Sequence, residues 1–164
     1  MNTKKKALVF AVLALLLLNL SVASVSACPP CPGTVTPGYL KNHPEVWDEK
    51  PDAWSAWSEL QEYFGLQDYT PGDVMEWLWQ PTRGDKTYTL FRAAFAAKFN
   101  VVNGCWCEEV NCPLSEALWW LVRPGGYPVG SGVKASSDAW KEAEPLYLEL
   151  DAYNNGELCA PARD

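Results

Sequence analysis

The stretch Lys86-Thr-Tyr-Thr-Leu-Phe-Arg-Ala-Ala-Phe-Ala-Ala-Lys-Phe-Asn-Val-Val102 decides the fold class. Its apolar positions Leu90, Phe91, Ala94, Phe95, Phe99 and Val102 recur mostly at helical spacings, with further alanines between them. That is the period of an α-helix, and the apolar arc is wide enough to bury most of the helix surface. Strand-type alternation is almost absent elsewhere. The segment is expected to be the central helix of an all-α fold, with Asn103-Gly104 as its stop.

Toward the C-terminus a cysteine-rich loop runs to Cys112, and Pro113 is expected to open a helix carrying Leu114, Leu118, Trp119, Leu121 and Val122. Arg123-Pro124-Gly125-Gly126 closes it, and a Gly/Ser/Pro-rich loop leads to Ser137, the expected cap of a last helix. Trp140, Ala143, Tyr147 and Leu150 share one face there. Pro145 is expected to kink or divide that helix, and Asn154-Asn155-Gly156 to end it.

Toward the N-terminus Thr70-Pro71-Gly72-Asp73 reads as a helix start, with Thr70 as cap, before a short helix through Trp77 and Trp79 that ends at Pro81. Before it, Pro51 stands as a first helical residue and Asp52 suits the helix dipole. Trp54, Trp57, Leu60 and Phe64 form a stripe, and Gly65 supplies a left-handed stop. Pro29, Pro30, Pro32 and Pro37 make residues 28–38 an extended arm, so residues 39–164 are expected to form a single helical domain.

The first 27 residues read as an address. Lys4, Lys5 and Lys6 precede an apolar run from Ala7 to Leu18, and Val25-Ser26-Ala27 supplies small residues before Cys28. This is the pattern of a secretory signal cleaved after Ala27. Spanning a bilayer takes roughly 20 apolar residues, and Asn19 and Ser21 interrupt the run sooner. Val25-Ser26-Ala27-Cys28 also resembles a lipobox, which makes Cys28 a candidate lipidation site. The expected location is extracytoplasmic, secreted or attached to the cell envelope. A membrane association is expected only through the signal or a lipid on Cys28.

The signal holds three of the 13 basic residues and none of the 20 acidic ones, so the mature chain is strongly acidic. No basic cluster follows Lys6, which excludes a nucleic-acid partner. Six cysteines, Cys28, Cys31, Cys105, Cys107, Cys112 and Cys159, lie in the arm, one central loop and the C-terminal tail. In an oxidising compartment an even count reads as three disulfides, and any pairing between these groups ties the ends of the chain to its middle. A Cys105–Cys107 bond would be strained, and the remaining pairings stay open. The alternative is a thiol or metal site on Cys105, Cys107 and Cys112 with His43, although paired ligand spacings are lacking. No catalytic signature is present, and no cofactor is expected.

His43 is the sole histidine, and with Tyr39, Lys41, Asn42 and Glu45 it offers a polar candidate contact. One titratable group lacks the base, nucleophile and oxyanion partners that catalysis needs. Among nine tryptophans, Trp54, Trp57, Trp119 and Trp140 fall in apolar stripes and are expected in the core. Trp47, Trp79 and Trp106 are the surface candidates for a protein or glycan partner. Asp151 to Glu157 has some features of a calcium loop, but Tyr153 and Ala162 stand at ligand positions, and a helix C-cap explains Asn155-Gly156 better.

The segment Thr36-Pro37-Gly38-Tyr39-Leu40-Lys41-Asn42-His43-Pro44-Glu45 resembles a group of exported bacterial and archaeal domains that share a Thr-Pro-Gly-aromatic-Trp-Lys-Asn-His-Pro motif. Leu90 to Asn103 and Leu150-Asp151-Ala152-Tyr153-Asn154-Asn155-Gly156 are similar to further segments of that group. Leu40 stands where the group usually carries Trp, which argues against an aromatic pair there as a binding platform. The resemblance implies an exported or surface-associated module. The expected role is interaction or structural support without catalysis, with carbohydrate binding through exposed tryptophans as the alternative.

Overall fold

The computed structural model describes residues 31–46 and 53–163, without the side chains of residues 44, 53–57 and 59. The signal, Cys28, Trp47, Pro51, Asp52 and the side chains of Trp54 and Trp57 lie outside the described residues. Among those described, six α-helices follow in order: α1 (Pro37–Asn42), α2 (Ala53–Phe64), α3 (Pro71–Trp79), α4 (Lys86–Val102), α5 (Glu108–Val122) and α6 (Asp138–Asn154). A 3₁₀ turn at Pro44–Val46 follows α1. The fold is all-α.

The central position of α4 follows from its composition. Alanines at 93, 94, 96 and 97 let neighbouring backbones approach closely, and Leu90, Phe91, Phe95 and Phe99 fill the spaces between. It touches each of the other five helices, most extensively α6 and α5. Asp85 caps it, accepting hydrogen bonds from the Thr87 N–H at 3.0 Å and the Thr87 hydroxyl at 2.8 Å. The second Asp85 oxygen accepts from Gly132 N at 2.8 Å and so fastens the long α5–α6 loop.

The layer of α2 and α3 packs on α4 without a covalent link. Gly65 takes a φ of 65° at the end of α2, and Thr70 with Asp73 forms a reciprocal capping box at the start of α3. Arg92 reaches from α4 to the last turn of α3. It donates to the Trp77 carbonyl from Nε at 2.9 Å and from Nη2 at 2.7 Å, and from Nη2 to the Gln80 carbonyl as well. Carbonyls that a helix end leaves orphaned are thereby satisfied by a cation.

Three expectations need correction. Helix α5 starts at Glu108, and Pro113 lies inside it. Cys107, just before the helix, is held by a disulfide, and Glu108 and Glu109 suit the N-terminal dipole. Pro113, just past the turn whose N–H groups are free anyway, therefore costs one hydrogen bond rather than the helix. Of the kink or division expected at Pro145, division does not occur: helix α6 runs through that residue, which is on its exposed face, where water can take over the released carbonyl. Trp119 is 58 % exposed; the buried set is Val110, Pro113, Leu114, Ala117, Trp120 and Leu121, a phase in which Trp120 points inward instead.

The arm and the tail are built into the core. Thr34 and Ala162 form an isolated parallel bridge, with Thr34 N donating to the Pro161 carbonyl at 2.8 Å and Arg163 N donating to the Thr34 carbonyl at 2.9 Å. Side chains could not fit at the two glycines that grip this tail. A Cβ on Gly33 would lie 2.5 Å from Arg163 Cα, and one on Gly156 would lie 2.1 Å from Ala162 N.

Beneath this clasp, Asn100 accepts from Val35 N at 2.9 Å, and its amide donates to the Val35 carbonyl and to Asn154 Oδ1, each at 3.0 Å. Asn154 in turn donates to the Ala93 carbonyl at 2.9 Å. Every member of the network is buried and partnered, which is the condition for buried polar groups to specify packing.

Candidate functional site

Thr36 caps α1 by accepting from Tyr39 N at 3.2 Å, and Pro37 supplies a preset first turn. Leu40 is fully buried, so no aromatic platform exists at that position. The outer side of α1 carries Tyr39, Lys41, Asn42 and His43. Tyr39 and His43 stack with centroids 4.3 Å apart, and the Arg163 guanidinium lies 5.5 Å from the Tyr39 ring centroid. His43 Nδ1 lies 3.0 Å from Glu45 Oε1. Lys41 Nζ lies 4.5 Å from the Trp79 ring centroid, joining α1 to the end of α3 while leaving that indole 55 % exposed.

A polar cleft of about 160 Å³ opens beside this face, lined by Thr34, Thr36, Tyr39, Asn154, Asn155 and Arg163 among others. Two of the segments that carry the resemblance line this cleft, through Thr36 and Tyr39 at α1 and through Asn154 and Asn155, and Asn100 of the third is hydrogen-bonded to Val35 and Asn154 in its lining. The motif thus has a structural explanation in capping and buried hydrogen bonding. His43 and Glu45 form an exposed pair.

The cysteine loop is arranged differently. Cys31 pairs with Cys105, and Cys107 pairs with Cys159. Both ends of the described chain are therefore tied to its middle, and two disulfides are the mark of an oxidising, extracytoplasmic compartment. Cys112 is exposed and unpaired among the described residues. The metal alternative placed Cys105, Cys107, Cys112 and His43 together, and the structure gives Cys105 and Cys107 to two different bonds. Cys107, Glu109 and Cys159 do bring their ligand atoms within 4.8 Å of one another, but the two sulfurs are bonded and offer no thiolate.

Between the two bridges stands Trp106, 61 % exposed. Its backbone is fixed on both sides. Cys105 is buried, its N–H donates to the Asn100 carbonyl at 3.0 Å, and its carbonyl accepts from the Tyr153 hydroxyl at 2.7 Å. Burial holds the Tyr153 phenol above its ordinary range, so that hydroxyl remains a donor at any physiological pH. Leu158, just before Cys159, is a second exposed apolar side chain. The Cα atoms of Trp106 and Leu158 lie within about 14 Å, the 6.3 Å Cα span of the disulfide plus one peptide step at each end.

Trp106 and Trp79, the expected surface tryptophans, are exposed. Arg163, Leu158, Trp119 and the two buried asparagines were not legible as site residues. Arg163 belongs to a tail with no periodic pattern, while the disulfide at Cys159 brings Leu158 toward Trp106. Across α4 from the clamp, an apolar cleft of about 160 Å³ includes Leu66, Tyr69, Trp77, Phe91, Val122 and Val129 in its lining.

No helix among the described residues is long and apolar enough to cross a membrane. Scans against protein-family models and searches of curated proteins and solved structures return no match.

Proposed function

We propose that the chain is an exported, non-catalytic interaction module of the cell surface or envelope, with Trp106 as its anchor. The observation that carries this reading is a large aromatic ring left 61 % exposed on a loop clamped by two disulfides and two buried hydrogen bonds. Leaving an indole in water forgoes its hydrophobic gain, and holding it rigid lowers the ordering cost when a partner covers it. Rigid, centrally placed tryptophans are the residues from which binding energy is most often drawn. Export rests on the N-terminal signal pattern, and the resemblance through the α1 motif points the same way. Carbohydrate binding is the second reading, favoured by the free ring of Trp119 on α5.

The test is site-specific photocrosslinking in the native host, with a benzophenone amino acid at position 106 and, as control, at the exposed Lys134. A discrete adduct formed at 106 and absent at 134 is the expected result. No adduct at 106 in correctly exported, disulfide-bonded protein would sink the interaction reading, and an adduct on polysaccharide would replace it with the second.

A further inference from the structure

The surroundings of Trp106 say what kind of partner it suits. No lysine or arginine occurs between Lys98 and Arg123, or between Lys141 and Arg163. The Cys107–Cys159 bond joins these two base-free stretches. They bring Glu108, Glu109 and Glu157 to the clamp, all exposed. Glu109 is directly beside the bridge, with a carboxylate oxygen within 4.8 Å of both sulfurs. The flanking cation, Arg163, lies over the Tyr39 ring and makes no ion pair among the described residues. Negative charge is thus concentrated on the two stretches that this bridge joins beside the exposed indole. Asp151 reports the same field: burial first, and then the charge of Glu157, raise its carboxyl above its usual range.

We infer that the partner of this surface is a cationic peptide segment, a lysine- or arginine-bearing stretch of another exported protein, that places a positive side chain on the Trp106 ring with Glu109 and Glu157 as counter-charges. The inference rests on the interaction reading above and names the chemistry of its partner. An indole face attracts ammonium and guanidinium groups through its quadrupole, and carboxylates at the rim strengthen and steer that contact. A second copy of the chain is the wrong occupant, because it brings the same acidic rim and the same excess of acidic over basic residues. An anionic lipid surface is repelled for the same reason.

Calorimetric titration of the exported, oxidised protein with oligolysine, oligoglutamate and a neutral cello-oligosaccharide tests this. Oligolysine should bind with an affinity that falls with added salt, and oligoglutamate should not bind. Trp106→Ala should weaken oligolysine about tenfold, Trp106→Phe should restore most of the loss, and Glu109→Gln with Glu157→Gln should weaken it to a similar degree. Intact mass and circular dichroism confirm that each variant keeps its disulfides and helices; if the alanine variant does not, the phenylalanine and glutamine variants carry the comparison. Equal oligolysine affinity in Trp106→Ala and native protein would reduce the effect to diffuse charge attraction and overturn the proposal. So would binding of the sugar alone. A photocrosslink at position 106 without oligolysine binding leaves the interaction module standing and removes only its cationic partner.

Discussion

The two sides of α4 solve the same problem by different means. On one side the arm, the cysteine loop and the tail are joined by two disulfides and a buried asparagine network, and there Trp106 and Leu158 stand in water. On the other side α2 and α3 have no covalent link to α4, and Leu60, Phe64, Leu66, Val74 and Leu78 are all buried. The uncrosslinked layer draws its cohesion from these side chains, and the rings it exposes, Trp79 and Tyr69, rest against Lys41 and Trp77. The crosslinked end has cohesion from bonds and can present its aromatic ring outward.

Breaking the covalent support should have the largest effect. Replacing Cys31 and Cys105 with serine removes a bond that spans 74 residues, and chain entropy puts the loss at about 4 kcal/mol. Urea denaturation should show that loss; a change below about 1 kcal/mol would mean that the hydrogen bonds alone hold the arm. Next comes Asn100→Ala, which leaves Val35 N–H and C=O and the Asn154 side chain without their partner. The expected cost is about 3 kcal/mol by the same measurement, since buried unsatisfied groups lose their hydration without compensation. Indifference to this substitution would make the clamped end dependent on its disulfides alone.

On the opposite side Arg92→Ala should cost about 2 kcal/mol by unpairing the carbonyls at the end of α3. Hydrogen exchange should show the loss concentrated in α3. Uniform loss across the molecule would mean that the two sides unfold as one unit and would weaken the contrast.

The smallest effect is expected at Asp151, on the rim of the clamp. Its carboxyl is held above the ordinary 3.8 by burial and then by Glu157. A raised acid favours the folded state below the unfolded value, and that contribution is lost as pH rises through the folded value. Asp151→Asn should therefore raise the urea midpoint slightly at neutral pH and leave it unchanged below about pH 3, where the carboxyl is protonated in both states. An equal rise at both pH values would exclude charge as its cause.

Much of this contrast was readable from local signals. The period of Lys86 to Val102, the Thr70 capping box and the Ser137 cap each depend on neighbours a few residues away, and α3, α4 and α6 begin where those signals put them. Helical phase on α5 was not readable. Trp119 and Trp120 are adjacent and equally apolar, and only packing against α4 and α6 decides which of them turns inward. Pro113 looked like a start because its missing N–H suits one; the disulfide at Cys107 that supports an earlier start joins residues 52 apart. The same remoteness hid the arm–tail bridge and the partners of Asn100. At the candidate site, exposed Trp79 and Trp106 came from the absence of an apolar stripe around them, whereas Leu158 and Arg163 depend on contacts that have no local trace.

The bridge between Thr34 and the tail has a consequence for the order of events along the chain. Its two sides are 127 residues apart where Thr34 meets Pro161, and the tail passes over two glycines, Gly33 and Gly156, that admit no side chain. Contacts among α4, α5 and α6 are shorter in range and are expected to form early, while a closure of that span is slow because it must bring both ends to one place. Cys31 and Cys159 then reach their partners only on a scaffold already assembled. On this view oxidation seals a shape that the helices have chosen, and a chain delivered reduced across a membrane would acquire the correct bonds by folding first.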